Sequence, residues 1–239
     1  MSATDYRYNA RTHVGLRRKV NEDAVLALPD RAIWVVSDGM GGHEAGDYAS
    51  RLIADTIATI PEGLDPTDRM HALREAICTA HGLILQEADS RGRGVIGATV
   101  AALMLANGHF VALWAGDSRI YRLRDRRIEM LTTDHSAVAA FVEAGTMTWD
   151  EAEQHPQSNA ITRAVGVGEE IELDKVRGET EQGDRFLVCS DGLTKYATFG
   201  MLEKALSEMP LETVTDHLVS VALAGGGADN ISVIVVDVL

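Results

Sequence analysis

Four aspartates limit what this chain can fold into, because each stands where an apolar run meets a loop. Asp38 follows IWVVS, Asp117 follows VALWAG, Asp191 follows FLVCS, and Asp229 immediately precedes NISVIVVDV. An isolated Asp is ordinarily a solvated turn residue, but these share a context that a turn residue does not need. If the runs are adjacent strands, their ends gather the carboxylates in one cleft, where mutual repulsion and desolvation are prohibitive without a counter-charge. A divalent cation is the natural remedy. The available ligands are all oxygen, with no His–Cys pattern nearby, which suits Mg²⁺ or Mn²⁺ rather than zinc. Gly39 and Gly192, each directly after its Asp, leave room for a backbone carbonyl or a water to reach the same ion.

With 239 residues and 46% hydrophobic content the chain can bury one sizeable core, so residues 1–239 are expected to form a single domain. The 22 Lys+Arg against 36 Asp+Glu give a formal charge of −14, which argues against nucleic acid and anionic membrane as partners. The start, MSATDYRYNARTH, carries no apolar h-region, and AIWVV, VAALML and ISVIVV are too short to span a bilayer. A soluble, cytoplasmic monomer is the expectation. Cys78 and Cys189 form neither a disulfide framework nor a CxxC pair and read as small core residues.

Periodicity supplies the elements. Ala32 to Ser37 reads as a buried strand. Glu44 to Ile60 reads as a helix with Ala45, Ala49, Leu52, Ile53, Thr56 and Ile60 on one face, stopped by Pro61-Glu62-Gly63. A second helix runs from Asp68 to about Ser90, with Met70, Leu73, Ile77, Ala80 and Ile84 on its stripe. From Ala98 to Leu131 short apolar runs are joined by tight turns, and Asn107-Gly108 is the favoured type I′ pair, so this is a hairpin within a meander. A polar, helix-leaning segment over 136–158 follows, then a strand over Arg185 to Cys189, two helices over about Phe199 to Leu223, and a last strand from Ile231 to Val238. Meanders with inserted helix pairs favour an antiparallel α+β layered fold over a doubly wound one.

VVSDGMGGHEAG, from Val35 to Gly46, runs an apolar strand into glycines and then a helix, as phosphate-cradling loops do. The aspartate at its mouth repels a phosphate unless a cation lies between them. A dinucleotide-binding oxidoreductase is the rival reading, but GxGxxG fails because Glu44 occupies the sixth position, and the later chain lacks βαβ alternation.

Arg18-Lys19-Val20-Asn21-Glu22-Asp23, Ser37 to His43 (SDGMGGH), Gly97-Ala98-Thr99, Gly116-Asp117-Ser118-Arg119, Leu131 to Ser136 (LTTDHS), Ile161 to Gly166 (ITRAVG), Ser190-Asp191-Gly192-Leu193 and Asp229-Asn230 follow one another in an order that resembles the protein phosphatase 2C family. These are the metal-dependent serine/threonine phosphatases, here in a compact bacterial form. The likeness implies a four-layer α-β-β-α sandwich, two antiparallel sheets flanked by helix pairs, with two Mn²⁺ or Mg²⁺ ions in the channel between the sheets. By position Asp38 would bridge both ions, Gly39 would offer its carbonyl, Asp191 and Asp229 would complete the pair, Glu22 and Asp23 would act through water, and Asp117 would serve a third ion. Two ions about 3.5–4 Å apart can share and ionise a water for in-line attack on a phosphate ester. Arg18 matches the family arginine that grips the phosphate through its planar fork.

Several eukaryotic relatives carry a proton-donating His where Met40 stands; Met40 cannot serve, and His43 is the candidate substitute, its bland reading being a capping or packing residue. His135 reads as structural. Lys195 stands where many relatives carry Asp or Asn near the third ion, and its charge should leave that ion poorly bound. Residues 137–158 correspond to the family's flap, with Trp149 either a substrate contact or a hinge anchor. The resemblance implies phosphoproteins and a Hanks-type kinase as partners, with type VI secretion control as one setting. A catalytically silent phosphoprotein-binding scaffold of the same fold is the alternative.

Overall fold

The computed structural model describes residues 6–41, 45–92 and 94–239. In chain order the elements are β1 (Tyr6–His13), β2 (Asp23–Leu28), β3 (Ile33–Met40), α1 (Ala45–Ala58), α2 (Pro66–Arg91), β4 (Gly97–Ala98), β5 (Val100–Ala106), β6 (His109–Ala115), β7 (Arg119–Arg124), β8 (Arg127–Met130), α3 (Ala139–Glu143), α4 (Trp149–Ala152), β9 (Asp174–Glu179), β10 (Arg185–Cys189), α5 (Asp191–Thr194), α6 (Phe199–Glu208), α7 (Leu211–Gly225) and β11 (Ile231–Val238). One antiparallel sheet has the order β1-β11-β10-β7-β8, the other β2-β3-β5-β6-β9 with β4 paired to β3.

The apolar runs are continuous rather than alternating because their strands are covered on both faces. On β3, Ile33 and Val35 face the helix pair α1/α2, while Trp34 and Val36 face the other sheet. On β10 and β11, Leu187, Cys189, Val233 and Val235 face α6 and α7, while Phe186, Val188, Ile234 and Val236 fill the space between sheets. The result is the α-β-β-α sandwich of two antiparallel sheets that the sequence implied. It also removes the doubly wound oxidoreductase reading, since every strand pair is antiparallel.

Boundaries differ from the sequence reading for local reasons. The second helix starts at Pro66 rather than Asp68, because Asp65 caps it by accepting from Thr67 N (2.8 Å) and Asp68 N (3.0 Å), with Pro66 at the first helical position. The Asn107-Gly108 pair does turn the β5–β6 hairpin, at φ 50° and 74°. Strands β1, β2 and β9 have no counterpart in the sequence reading. The sheet-edge strand β1 buries no residue fully, so its YRYNARTH text carries no apolar run to announce it. Cys189 lies in the core, but Cys78 is exposed, because it follows Ile77 onto the solvent side of α2.

Among the described residues no helix is long and apolar enough to cross a membrane. Phe186 is fully buried between the sheets against Phe110, ring centroids 5.5 Å apart, so Phe186→Ala should cost about 3–5 kcal/mol in denaturant unfolding. Exposed Val95→Ala should stay within about 0.5 kcal/mol of the parent.

Candidate active site

The register of β2 on β3 places Asp23 directly opposite Asp38. Ser190 follows β10 at the N-cap position of α5, so Asp191 opens that helix, and Asp229 sits two residues before β11, the neighbour of β10 in its sheet. Asp117 lies in the turn between β6 and β7. Asp38, Asp117, Asp191 and Asp229 meet in a cleft of about 570 Å³, lined also by Arg18 and Lys195 among others, while Asp23 is buried against Asp38 and does not line it.

Close backbone approach makes the convergence possible. A Cβ on Gly192 would meet the Asn230 carbonyl at 1.9 Å, so only glycine lets the start of α5 pack against the Asp229–Asn230 turn. A Cβ on Gly39 would meet the Gly46 carbonyl at 2.2 Å. Both glycines make room for neighbouring backbone. The turn away from the strand also falls later than expected: β3 continues through Asp38 to Met40, and Gly41, at φ 125°, makes the turn.

Buried polar groups fix the rest. Asn230 accepts from Glu22 N (2.8 Å) and donates to the carbonyls of Val14 (2.9 Å) and Val20 (3.0 Å), so one side chain holds both ends of the loop that carries Arg18. Thr99 Oγ1 accepts from Asp38 N at 2.9 Å and lies 2.7 Å from Ser118 Oγ, tying Asp38 to the residue after Asp117. Thr99 closes Gly97-Ala98-Thr99 and Asn230 closes Asp229-Asn230, and neither motif alone assigns its polar side chain a role. Polarity inside an otherwise apolar stretch was the available signal.

The carboxylates are under strong mutual stress. Burial above all, then the charges of Asp23, Asp191, Asp117 and Asp229, drive Asp38 well above the ordinary carboxylate range. Burial pushes Asp23 up to about 7 against hydrogen bonds from Ser232 and Ser190. Asp117 is raised by burial, then by Asp191 and Asp134, against Lys195 and Arg119. Asp23 Oδ1 and Asp191 Oδ1 are buried without a hydrogen-bond partner. Orphaned oxygens, an oxygen-only donor set and unrelieved like charge fit a hard divalent cation. Among the described residues no three His, Cys, Asp or Glu side chains already stand in coordinating geometry. Instead Lys195 Nζ lies 2.6 Å from Asp191 Oδ2 and 3.3 Å from Asp229 Oδ2.

Arg18 Nη2 donates to Asp229 Oδ2 at 2.9 Å. Gly39 and Glu22 line the cleft, as does Met40. His43 lies outside the described residues. His135 does not line the cleft: its Nδ1 accepts from Gly116 N (3.0 Å) and its ring stacks on Trp114. Asn159 and Ile161 also line the cleft; Ile161 opens the ITRAVG motif, whereas no sequence signal marked Asn159. The segment before them is tied down by Arg119. That guanidinium grips Asp134 (2.9 and 2.6 Å), pairs with Glu153 (2.7 Å) and covers the Trp149 ring at 5.0 Å, which makes Trp149 an anchor.

A family model described as protein phosphatase 2C matches residues 14–225. The serine/threonine protein phosphatase PstP of Mycobacterium tuberculosis is 35% identical over 237 residues, covering 98% of this chain and 45% of PstP. The chain therefore spans about half the length of that curated relative. Among solved structures, PppA, a key regulatory component of T6SS in Pseudomonas aeruginosa, superposes with a TM-score of 0.91 at 41% identity, covering 99% of both chains. The catalytic domain of PstP in complex with two manganese ions gives 0.84 at 33% identity, covering 98% of both chains.

A carboxylate raised in the folded state holds its proton more tightly there than unfolded, so its stabilising effect is present below pH about 4 and is lost as pH rises through its folded value. In chelator, melting temperature should fall as pH rises from about 4 to about 7, the window set by Asp23, and Asp23→Asn should flatten part of that slope. A thermal-shift series across pH measures it.

Proposed function

The chain belongs to the protein phosphatase 2C family, and from that premise we propose that it is a metal-dependent serine/threonine phosphoprotein phosphatase. The observation that carries the reading is the convergence of Asp38, Asp191 and Asp229, with Arg18 beside them, in one cleft. Asp38, the Gly39 carbonyl, Asp191 and Asp229 are the residues that would hold two ions, Mn²⁺ or Mg²⁺, with Asp23 and Glu22 acting through water and Asp117 serving a poorly bound third. When bound, such ions activate water and offset charge on the phosphoryl oxygens.

The protein's own groups do the remaining work. Arg18 spends one N–H on Asp229, and a guanidinium has five, so donors remain for two phosphoryl oxygens in a fork. That local charge offsets the −14 of the whole chain for an anionic substrate. Thr99 and Asn230 act as positioning residues, fixing the backbone of Asp38 and the Arg18 loop. Residues 137–158 form the flap, held at its far end by Arg119, with Asn159 presented to the substrate. Met40 offers no transferable proton at the leaving group, and His43 is the candidate for that task. Likeness to PppA supports a role in type VI secretion control; phosphoproteins are the substrates of this reading, with a Hanks-type kinase as the opposing activity.

The test is hydrolysis of p-nitrophenyl phosphate and of a phosphothreonine peptide. Turnover in Mn²⁺ should vanish with EDTA, fall by about 100-fold or more in Asp191→Ala, and show a raised KM in Arg18→Ala. Asp117→Ala with unchanged turnover at saturating Mn²⁺ would show the third ion to be dispensable. Phosphopeptide binding without turnover in any divalent ion would favour the silent scaffold.

A further inference from the structure

Lys195 stands one helical turn after Asp191, its amide donating to the Asp191 carbonyl at 3.0 Å, so α5 aims the side chain back at the cleft. The ammonium is largely enclosed, at 17% side-chain exposure, and lies between Asp191 Oδ2 (2.6 Å) and Asp229 Oδ2 (3.3 Å). Asp229 Oδ2 also receives Arg18, and Asp229 Oδ1 accepts from Asn230 N at 2.9 Å. Both oxygens of Asp229 are thus engaged by the protein, whereas Asp191 keeps Oδ1 unpartnered. The sequence placed Lys195 near the third ion. The geometry puts it on two of the carboxylates assigned to the ion pair.

We propose that Lys195 is a tethered competitor for one of the two paired cations, seated between Asp191 and Asp229, and that an ion joins those carboxylates only as the ammonium swings away. This rests on the reading that Asp38, Asp191 and Asp229 hold divalent ions. An ammonium and a divalent ion cannot share that space, since like charges a few ångströms apart in a partly enclosed site repel strongly. The displaced ammonium has a destination. Asp117 lines the same cleft as Lys195, so the swung-out lysine serves the carboxylate that a third ion would otherwise neutralise. One side chain therefore weakens an ion of the pair and substitutes for the third.

The experiment is Mn²⁺ titration of the full chain by calorimetry, with melting temperatures in EDTA and in Mn²⁺, for the parent, Lys195→Gln and Lys195→Arg. Lys195→Gln should bind one ion of the pair about 10- to 100-fold more tightly. It should melt lower than the parent in EDTA, having lost a counter-charge, yet gain a larger shift on Mn²⁺ addition. Lys195→Arg, which keeps the charge, should bind no more tightly than the parent. A merely structural lysine would lower both melting temperatures together and leave affinity unchanged, and that result overturns the proposal. Lys195→Met provides the same comparison if the glutamine variant does not fold. If the parent and Lys195→Gln both bind no Mn²⁺, the metal reading itself falls and carries this inference with it.

Discussion

Burying several carboxylates against one another is unfavourable, and the remainder of this fold can be read as the means by which that arrangement is imposed and then relieved. Asp23 and Asp38 face each other because β2 and β3 pair in one register, and a slip by one residue would turn Asp38 to the opposite face. Register is set by the apolar side chains on both faces of β3, whose misplacement would cost several buried contacts at once. The large cores on either side of each sheet therefore bear the cost of the small polar centre. Repulsion at the centre persists because the strands that carry it have no better place to go.

Relief comes from cations at two depths. Arg119 bridges Asp134 and Glu153 in an enclosed network behind the cleft, and in doing so fastens the segment that ends in Asn159 and Ile161. Arg18 and Lys195 act at the cleft itself, converging on Asp229. Neither leaves the centre balanced: Asp23 and Asp191 each keep a buried oxygen with no hydrogen-bond partner. That residual imbalance is the physical opening for divalent ions, and it connects the packing of the sheets to the proposed chemistry.

Much of this was legible in the sequence. Predominantly apolar runs gave β10 and β11 to the residue, because strands covered on both faces leave few polar positions. The four strand-end aspartates were visible for the same reason: a charge that interrupts such a run is conspicuous. Strand β9, DKVRGE, alternates exposed and partly covered residues, so nothing apolar marked it. The roles of Gly39 and Gly192 depended on backbone from Gly46 and Asn230, contacts that no spacing along the chain reveals. Lys195 was recognised as a misplaced charge, but which carboxylates it would reach depended on the turn of α5. The protein phosphatase 2C likeness supplied the roles of the metal ligands, which composition and periodicity alone left open.

The central claim is that Asp38, Asp191 and Asp229 jointly cage a pair of hard cations. Anomalous diffraction at the manganese edge, from crystals grown in Mn²⁺, addresses it without reference to turnover. Two anomalous peaks within coordinating distance of those carboxylates, with Asp38 touching both, are expected. Peaks at unrelated surface acids, or none in the cleft while Asp38, Asp191 and Asp229 remain clustered there, would contradict it.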